Sequence, residues 1–251
     1  MSLDLYFDRI QELLQQIRGT QAAIIRKAGA IVASSLQRGG IIHTFGTGHS
    51  HMVAEEAFFR AGGLVPINAI LDTRLSFLEG ALESTRAERE EGFASGLLAR
   101  EQIGAEDAAI IISNSGRNAV PVEMALEMKA RGVPVIAISN IRQSSSAPSR
   151  DRTGKRLFEI ADLVIDNCVP PGDAVLQLDS VEQRVGPAST VAGAVIINSI
   201  IIEAILLLTK DGKPAPVFPS ANLTTTSDEA IASLYRPFRD RIRCLDKTPT
   251  T

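Results

Sequence analysis

Two short segments rich in glycine and small polar residues are the parts of this sequence best suited to chemistry. Residues 46–51 read Gly-Thr-Gly-His-Ser-His and follow an apolar run that begins at Ile41. Residues 113–118 read Ser-Asn-Ser-Gly-Arg-Asn and follow the apolar run 110–112. A strand that ends in such a turn at a helix N-terminus presents free backbone N–H groups and the positive end of the helix dipole to one point. Each segment therefore predicts an anion site, and a phosphate fits such a site.

Side chains add to both turns. Thr47 and Ser50 supply hydroxyls to the first turn, and Ser50 also suits a helix N-cap. The first turn is not the GxGxxG dinucleotide fingerprint, and it lacks the lysine of a P-loop. Backbone N–H groups, hydroxyls and two helix dipoles bind a dianion without a lysine. The alternative for each turn is an ordinary capped turn, but two of them in one chain favour a ligand site.

Hydrophobic patterning predicts the elements that must hold these turns. Apolar runs predict strands over 41–46, 64–70, 108–113, 133–139 and 162–166. Helical spacing predicts helices over 3–18 and 20–38 (or one helix bent at Gly19), 50–61, 87–102, 118–131, 191–208 and 227–236. Residues 142–156 and 167–189 are expected to be loops. Strands that are apolar on both faces and alternate with helices predict an α/β three-layer sandwich around a parallel sheet.

Composition excludes several classes of protein. The formal net charge is −3 with no long basic run, which disfavours nucleic acid as a partner. Cys168 and Cys244 are too few for a disulfide framework or a metal cluster. The segment 191–208 is apolar enough for a membrane span, but Asn198 and Glu203 near its middle favour a buried core or interface helix. We expect a cytoplasmic protein with no membrane partner.

A family resemblance adds to these predictions. The segments 46–50 and 113–118, together with Gly-Pro-Ala-Ser-Thr at 186–190, resemble the loops of the SIS (sugar isomerase) domain, in particular of SIS proteins related to phosphoheptose isomerase. The resemblance covers roughly residues 36–210. It implies a five-stranded parallel flavodoxin-like sheet over 39–210, preceded by an N-terminal helical segment (1–38) and followed by a C-terminal extension (211–251), all one globular unit. It also implies a phosphosugar ligand and a homodimer or homotetramer.

The resemblance also implies roles for individual residues. Ser113, Ser115 and Asn118 would hold the phosphate, and Gly48, His49 and Ser50 would line the sugar side. Ser189 and Thr190 would close the site at another helix N-terminus. The complete set of expected phosphosugar-binding residues is Gly46, Thr47, Gly48, His49, Ser50, Ser113, Asn114, Ser115, Gly116, Asn118, Ser189 and Thr190.

Aldose–ketose isomerisation, the activity that the family suggests, needs a base for the C1/C2 proton and an acid for the oxygen. We predict Glu56, His51 and Glu182 for these roles. The alternative for Glu56 is an ion pair with Arg60, four residues on. The alternative for His51 is a backbone hydrogen bond at the helix start. No cofactor or metal is expected, although clustered His49, His51 and Glu55 form one metal-binding alternative.

Three questions stay open at this stage. A non-catalytic phosphosugar sensor is the main alternative to an isomerase, although the segment before the first strand is too short for a helix-turn-helix domain and is not basic. SIS-type amino-sugar deaminases and lyases begin from a similar proton abstraction, so they form a third possibility. Finally, the basic residues after strand four are interpreted as a solvated loop; they are Arg142, Arg150, Arg152, Lys155 and Arg156.

Overall fold

The structure is a computed structural model, and it describes residues 2–223 and 226–245. Its centre is a sheet of five parallel strands: β1 (Ile42–Gly46), β2 (Ile67–Ala69), β3 (Ala108–Ile112), β4 (Val135–Ser139) and β5 (Leu163–Asp166). The strand order is β2-β1-β3-β4-β5, with every neighbouring pair parallel. This is the flavodoxin-like order, and it confirms the predicted fold.

Nine α-helices occur in the described ranges: α1 (Ser2–Gln37), α2 (His49–Glu56), α3 (Ala81–Ala87), α4 (Phe93–Leu98), α5 (Ala119–Ala130), α6 (Ile141–Ser145), α7 (Leu157–Ile160), α8 (Ser189–Leu208) and α9 (Asp228–Tyr235). A small antiparallel pair, β6 (Ala174–Leu176) and β7 (Val185–Pro187), lies between β5 and α8.

Both faces of the sheet are covered, and the alternation of side chains along β3 shows how. Ile110 and Ile112 belong to the core formed with α1, α2 and α8. Ala109 and Ile111 belong to the opposite core, formed with α4 and α5. Successive side chains of a strand point to opposite faces, so a strand buried on both sides must be apolar throughout. This requirement accounts for the apolar runs and places the carboxyl ends of β1 and β3 side by side.

The N-terminal segment forms one continuous helix rather than two. Gly19 lies within α1 with no break, and no other group approaches the position of a side chain there. α1 packs along α8, the most apolar helix of the described residues. The packing is tight where α8 crosses α2, because a Cβ at Gly193 would lie 3.0 Å from the Val53 side chain.

α8 is also the one helix in the described ranges that is long and apolar enough to cross a membrane. Seven of its residues are buried in the protein core, in agreement with the predicted core helix: Ala192, Gly193, Ile196, Ile197, Ile200, Ile201 and Ala204. Its other side leaves Val195, Ile202 and Leu206 exposed. The homo-oligomer stays a prediction, for which this exposed apolar side is a supporting feature.

Several predicted elements differ in their bounds from those of the structure, and the helix predicted over 50–61 ends at Glu56. In place of the helix predicted over 87–102, α3 ends at Ala87 and α4 begins at Phe93. Gly92 interrupts the helix because it adopts a left-handed φ of 80° and donates its N–H to the Glu123 carboxylate. The strand predicted over 64–70 is reduced to β2, because Leu64 instead bridges Val217. The loop predicted over 142–156 contains most of α6, and the loop predicted over 167–189 contains the β6–β7 pair.

Candidate functional site

A cleft with a volume of about 380 Å³ opens at the carboxyl ends of β1 and β3. The connections that follow these two adjacent strands lead to opposite sides of the sheet, which is where open α/β sheets bind ligands. All three predicted loops contribute to the cleft. Its lining residues are Thr47, Gly48, His49, Ser50, Phe77, Ala81, Ser84, Thr85, Glu88, Ser113, Asn114, Ser115, Asn118, Gln143, Asp173 and Ser189.

Three predicted binding residues lie beside the cleft rather than in its lining. Thr190 lines a small adjoining cavity together with His49, Ser50 and Asn114. Gly46 allows the first turn to close, because a Cβ there would lie 2.3 Å from the Ser50 carbonyl oxygen. Gly116 has a φ of +60°, and a Cβ there would lie 2.7 Å from Ser144 Oγ. These two glycines therefore shape the turns that carry the lining residues.

The first turn uses most of its backbone donors internally. Helix α2 begins at His49 with Gly48 as its N-cap, so Ser50 lies inside the helix and the predicted Ser50 cap was wrong. The Gly48 N–H donates to the Leu75 carbonyl at 2.8 Å, and the Ser50 N–H donates to the Thr47 carbonyl at 3.0 Å. Few N–H groups remain there for an anion. The first turn is therefore better suited to contacts with sugar hydroxyls than to a phosphate.

The second turn keeps its donors free. The Gly116 N–H donates to Ser113 Oγ at 3.1 Å, which closes the turn. Within the described residues, no protein group accepts a hydrogen bond from the N–H of Ser115, Asn118 or Ala119. Asn118 is the N-cap of α5, and its side chain does not cap the helix. Free N–H groups at the positive end of the dipole of a twelve-residue helix are the arrangement that suits an anion.

The third predicted helix N-terminus is already occupied by a carboxylate of the chain. Asp173 Oδ1 accepts from the N–H groups of Ser189, at 2.7 Å, and Ala188, at 3.1 Å. Asp173 Oδ2 accepts from Ser189 Oγ at 2.9 Å. A second anion at this point would meet the Asp173 charge. The α8 terminus therefore disfavours a phosphate, and the α5 terminus is the better site for one.

The three predicted catalytic residues are not among those that line the cleft. Glu56 pairs with Arg60, as its alternative predicted, and also accepts from Asn198 Nδ2 at 3.0 Å. Glu182 is exposed in the connection between β6 and β7. His51 is buried with its Nδ1 3.5 Å from Glu55, while no group of the described residues partners its Nε2. Packing against α8 holds Glu56 away from the cleft.

His51 leads to a pH-dependent prediction. Burial lowers the pKa of His51 from its ordinary value of 6.5, against the opposing charges of Glu55 and Asp72. Below that value the unfolded chain binds the proton more readily than the folded protein, so stability must fall as the pH falls. We expect the melting temperature of the wild type, relative to His51→Gln, to decrease between pH 7.5 and pH 5.5. Parallel melting curves for the two proteins would contradict this, and His49→Gln is the matched control.

The metal alternative gains no support from the geometry. Among the described residues, no group of three His, Cys, Asp or Glu side chains is arranged to hold a metal ion. His49 packs edge-on against Phe77, with ring centroids 4.8 Å apart, while His51 is buried on the other side of the turn beside Glu55. His51 and Glu55 are in contact, but His49 packs on Phe77 instead, so the three side chains do not converge on one point.

Glu88 is, with Asp173, one of the two acidic side chains that line the cleft, and the sequence analysis missed both. It follows the last residue of α3, and its carboxylate accepts from Thr47 Oγ1 at 2.9 Å. Its carbonyl accepts from the Val120 N–H at 3.2 Å, which ties the end of α3 to the start of α5. A pattern of polar residues at 84, 85 and 88 marks one helical face, but the pattern alone does not show that this face meets the turn at residue 47.

The sequence predicts that the basic residues after β4 form a solvated loop, but two of them make contacts within the protein. Arg156 pairs with Glu159 and is half-buried. Arg150 is exposed overall, but its Nη1 donates to Asn118 Oδ1 at 2.9 Å, and its N–H donates to the Arg117 carbonyl at 2.7 Å. One member of the basic segment therefore reaches the edge of the cleft.

The strand order and the polar cleft at the strand ends define a class of α/β protein, and comparison with known proteins shows which family it is. The chain belongs to the SIS domain family, whose family description matches residues 5–140. Over most of its length it is similar to the UPF0309 proteins. The UPF0309 protein of Geobacillus thermodenitrificans (strain NG80-2) is 42% identical, covering 97% of this chain and 97% of its own.

Solved structures show the same fold at low sequence identity. The phosphoheptose isomerase of Neisseria gonorrhoeae superposes with a TM-score of 0.53 at 16% identity, covering 80% of this chain and 95% of its own. The Vibrio vulnificus NanR protein, solved in complex with ManNAc-6P, gives a TM-score of 0.50 at 13% identity, covering 98% of this chain and 70% of its own. At these identities the comparison establishes the shared fold.

Proposed function

We propose that this SIS protein binds a phosphosugar in the cleft and isomerises it between its aldose and ketose forms. The observation that carries the proposal is the Glu88 carboxylate, which lies in the same cleft as the free N–H groups of the second turn. The phosphate anchor orients the substrate and the base takes its proton, which are two of the functions that the reaction needs. The phosphosugar isomerase and the ManNAc-6P-bound protein with the same fold support the ligand class.

The phosphate is proposed to bind at the second turn. Ser113 and Ser115 supply hydroxyls, and Ser115, Asn118 and Ala119 supply N–H groups at the positive end of α5. The sugar then extends toward Thr47, Gly48 and His49 of the first turn. This direction places the reacting carbons near the end of α3, where Glu88 lies.

The proposed reaction is a proton transfer between neighbouring carbons. The Glu88 carboxylate takes the proton from C2 of the aldose, which leaves an enediol, and returns it to C1. The hydroxyl proton moves from O2 to O1, and His49 is the imidazole in the cleft available to carry it. Thr47 Oγ1, by donating to Glu88, fixes the orientation of the carboxylate. The reverse sequence converts the ketose to the aldose.

A solvent-exchange experiment tests the proposal. The protein is incubated in deuterated water with aldose and ketose phosphates of four to seven carbons, and deuterium incorporation at C1 and C2 is followed by NMR. We expect exchange in at least one sugar phosphate and none in the corresponding unphosphorylated sugar. No exchange across the panel at high protein concentration would exclude isomerase chemistry. Tight binding of a sugar phosphate without exchange would instead support the sensor alternative.

A further inference from the structure

Three arginines lie close together beyond the edge of the cleft. Arg150 bonds to Asn118 through its guanidinium and to the Arg117 carbonyl through its backbone. Arg89 follows Glu88 directly, at the end of α3 that is tied to α5. Their mutual proximity is reflected in Arg150, whose pKa is lowered by burial and then by the charges of Arg89 and Arg117. The protein thus concentrates positive charge at one point although its net charge is −3.

This charge is only partly offset within the part of the chain that the structure describes, where the Glu88 carboxylate acts on Arg150 against the charges of Arg89 and Arg117. Neither Arg89 nor Arg117 nor Arg150 forms an ion pair with a described carboxylate. Other arginines of the same surface are paired: Arg74 with Glu83 and Glu90, and Arg156 with Glu159. Three unpaired guanidinium groups repel one another, so their grouping is unfavourable unless an anion joins them.

One nitrogen of Arg117 also lacks a hydrogen-bond acceptor in the described part of the chain. Its side chain is half-buried, and its Nε is fully buried with no hydrogen-bond partner among the described residues. A buried charged donor without an acceptor is costly, and buried polar groups in native proteins are nearly always satisfied. Because Nε itself is closed off, it is the unmatched charge of the half-buried Arg117 side chain that favours an anion nearby.

The cluster adjoins the cleft but is separate from it. Asn118 and Glu88 line the cleft, whereas their neighbours Arg117 and Arg89 do not. A second groove, of about 560 Å³, contains Arg89 and shares Thr85 with the cleft. A ligand that passes Thr85 therefore reaches Arg89, and one that passes Asn118 reaches the guanidinium of Arg150, which bonds to Asn118.

We propose that Arg89, Arg117 and Arg150 form a second anion subsite, and that the sugar ligand carries a second phosphoryl group there. The proposal rests on the proposed function, because it takes the first phosphate to be held by the second turn. Guanidinium groups bind phosphoryl oxygens in a planar, two-pronged geometry, and several of them suit a dianion. The second turn has enough free donors for one phosphate, which leaves the arginines available for another. The two phosphoryl groups are either joined as a diphosphate or placed at the two ends of the sugar.

Calorimetric titration of the full chain tests the subsite. The probes are inorganic phosphate against pyrophosphate, and fructose 6-phosphate against fructose 1,6-bisphosphate, at constant ionic strength with EDTA present. We expect at least one doubly phosphorylated probe to bind about tenfold or more tightly than its singly phosphorylated partner. A preference for pyrophosphate indicates a diphosphate ligand, and a preference for the bisphosphate indicates separated groups.

Two variants decide what the arginines do. The double variant Arg89→Gln/Arg150→Gln is expected to remove the preference while the affinity for the singly phosphorylated probe stays the same. The matched control Arg142→Gln/Arg152→Gln changes two exposed arginines outside the cluster and is expected to retain the preference. Absence of a preference in the wild type would overturn the proposal. If the cluster variant lowered the affinity for both probes equally, the proposal would also be overturned, since the arginines would then bind the same phosphate in both probes.

The variant Ser115→Ala separates this proposal from the proposed function. We expect Ser115→Ala, introduced alone into the wild type, to lower the affinity for the singly phosphorylated probes, because Ser115 belongs to the first phosphate site. If Ser115→Ala has no effect on the affinity for any probe while the cluster variant still removes the preference for the doubly phosphorylated probe, the subsite stands and the phosphosugar assignment of the cleft fails.

Discussion

Replacing Glu88 by Gln is expected to reduce deuterium exchange at C2 of the substrate by about 10²- to 10⁴-fold, the usual contribution of a positioned general base. The amide cannot take the C2 proton, but it has the size of the carboxylate and retains an oxygen that accepts from Thr47. Substrate affinity should therefore remain close to that of the wild type. The rate is measured by NMR in deuterated water, and the affinity by calorimetry.

Two other glutamates provide the controls for this experiment. Glu90→Gln changes an exposed carboxylate two residues along, which pairs with Arg74 outside the cleft. Glu56→Gln changes the residue that the sequence analysis favoured, which is bound to Arg60 and Asn198. We expect both variants to retain exchange. Full exchange in Glu88→Gln, or its loss in Glu56→Gln, would show that the base is not Glu88.

Replacing Asp107 by Ala is expected to lower the free energy of unfolding by about 3 kcal/mol, because it removes the acceptor of a buried charged network. Asp107 is fully buried just before β3, and its carboxylate accepts from the Ile41 N–H, His43 Nε2 and Arg241 Nη2. Burial alone would raise its pKa, but these hydrogen bonds and one from the Gly104 N–H outweigh burial and lower it to about 2. Equilibrium unfolding in urea measures the effect.

The same network gives the prediction a pH dependence and a control. Because the folded pKa of Asp107 lies below its ordinary value of 3.8, its stabilising contribution is present above about pH 4 and is lost as the pH falls toward 2. Asp211→Ala changes an exposed aspartate and should leave stability unchanged. Arg241→Met should cost less than Asp107→Ala, since the carboxylate keeps its other donors. An Asp107→Ala protein as stable as the Asp211→Ala control would contradict this account.

The network also ties the C-terminal extension to the sheet. Arg241 reaches Asp107 across 134 positions of the chain, at 2.7 Å. Phe218 packs with Val65 and Ile231 in a third apolar cluster. These contacts lie at the amino end of the strands, opposite the cleft. The described part of the extension therefore packs against the domain without lining the cleft.

The sequence by itself determined the sheet and its two polar turns. Apolar runs such as Ile110–Ile112 predict buried parallel strands, because a strand covered on both faces has no polar side. The turns at the strand ends are predicted by Gly46, Gly48 and Gly116, because a left-handed φ or a close approach of two backbone segments requires glycine. Such features depend on residues close together in the chain, so their pattern can be recognised without the fold.

The tertiary structure alone decided which groups meet in the cleft. Glu88 enters it by bonding to Thr47, 41 positions away, while Glu56 is held by Asn198, 142 positions away. Asp173 fills the α8 terminus, and Arg150 reaches Asn118. All of these contacts except Asp173 with Ser189 join segments from different connections of the sheet, and their geometry follows from how helices pack on it. Local propensity does not contain that information, which is why the turns were predicted and the acidic side chain between them was not.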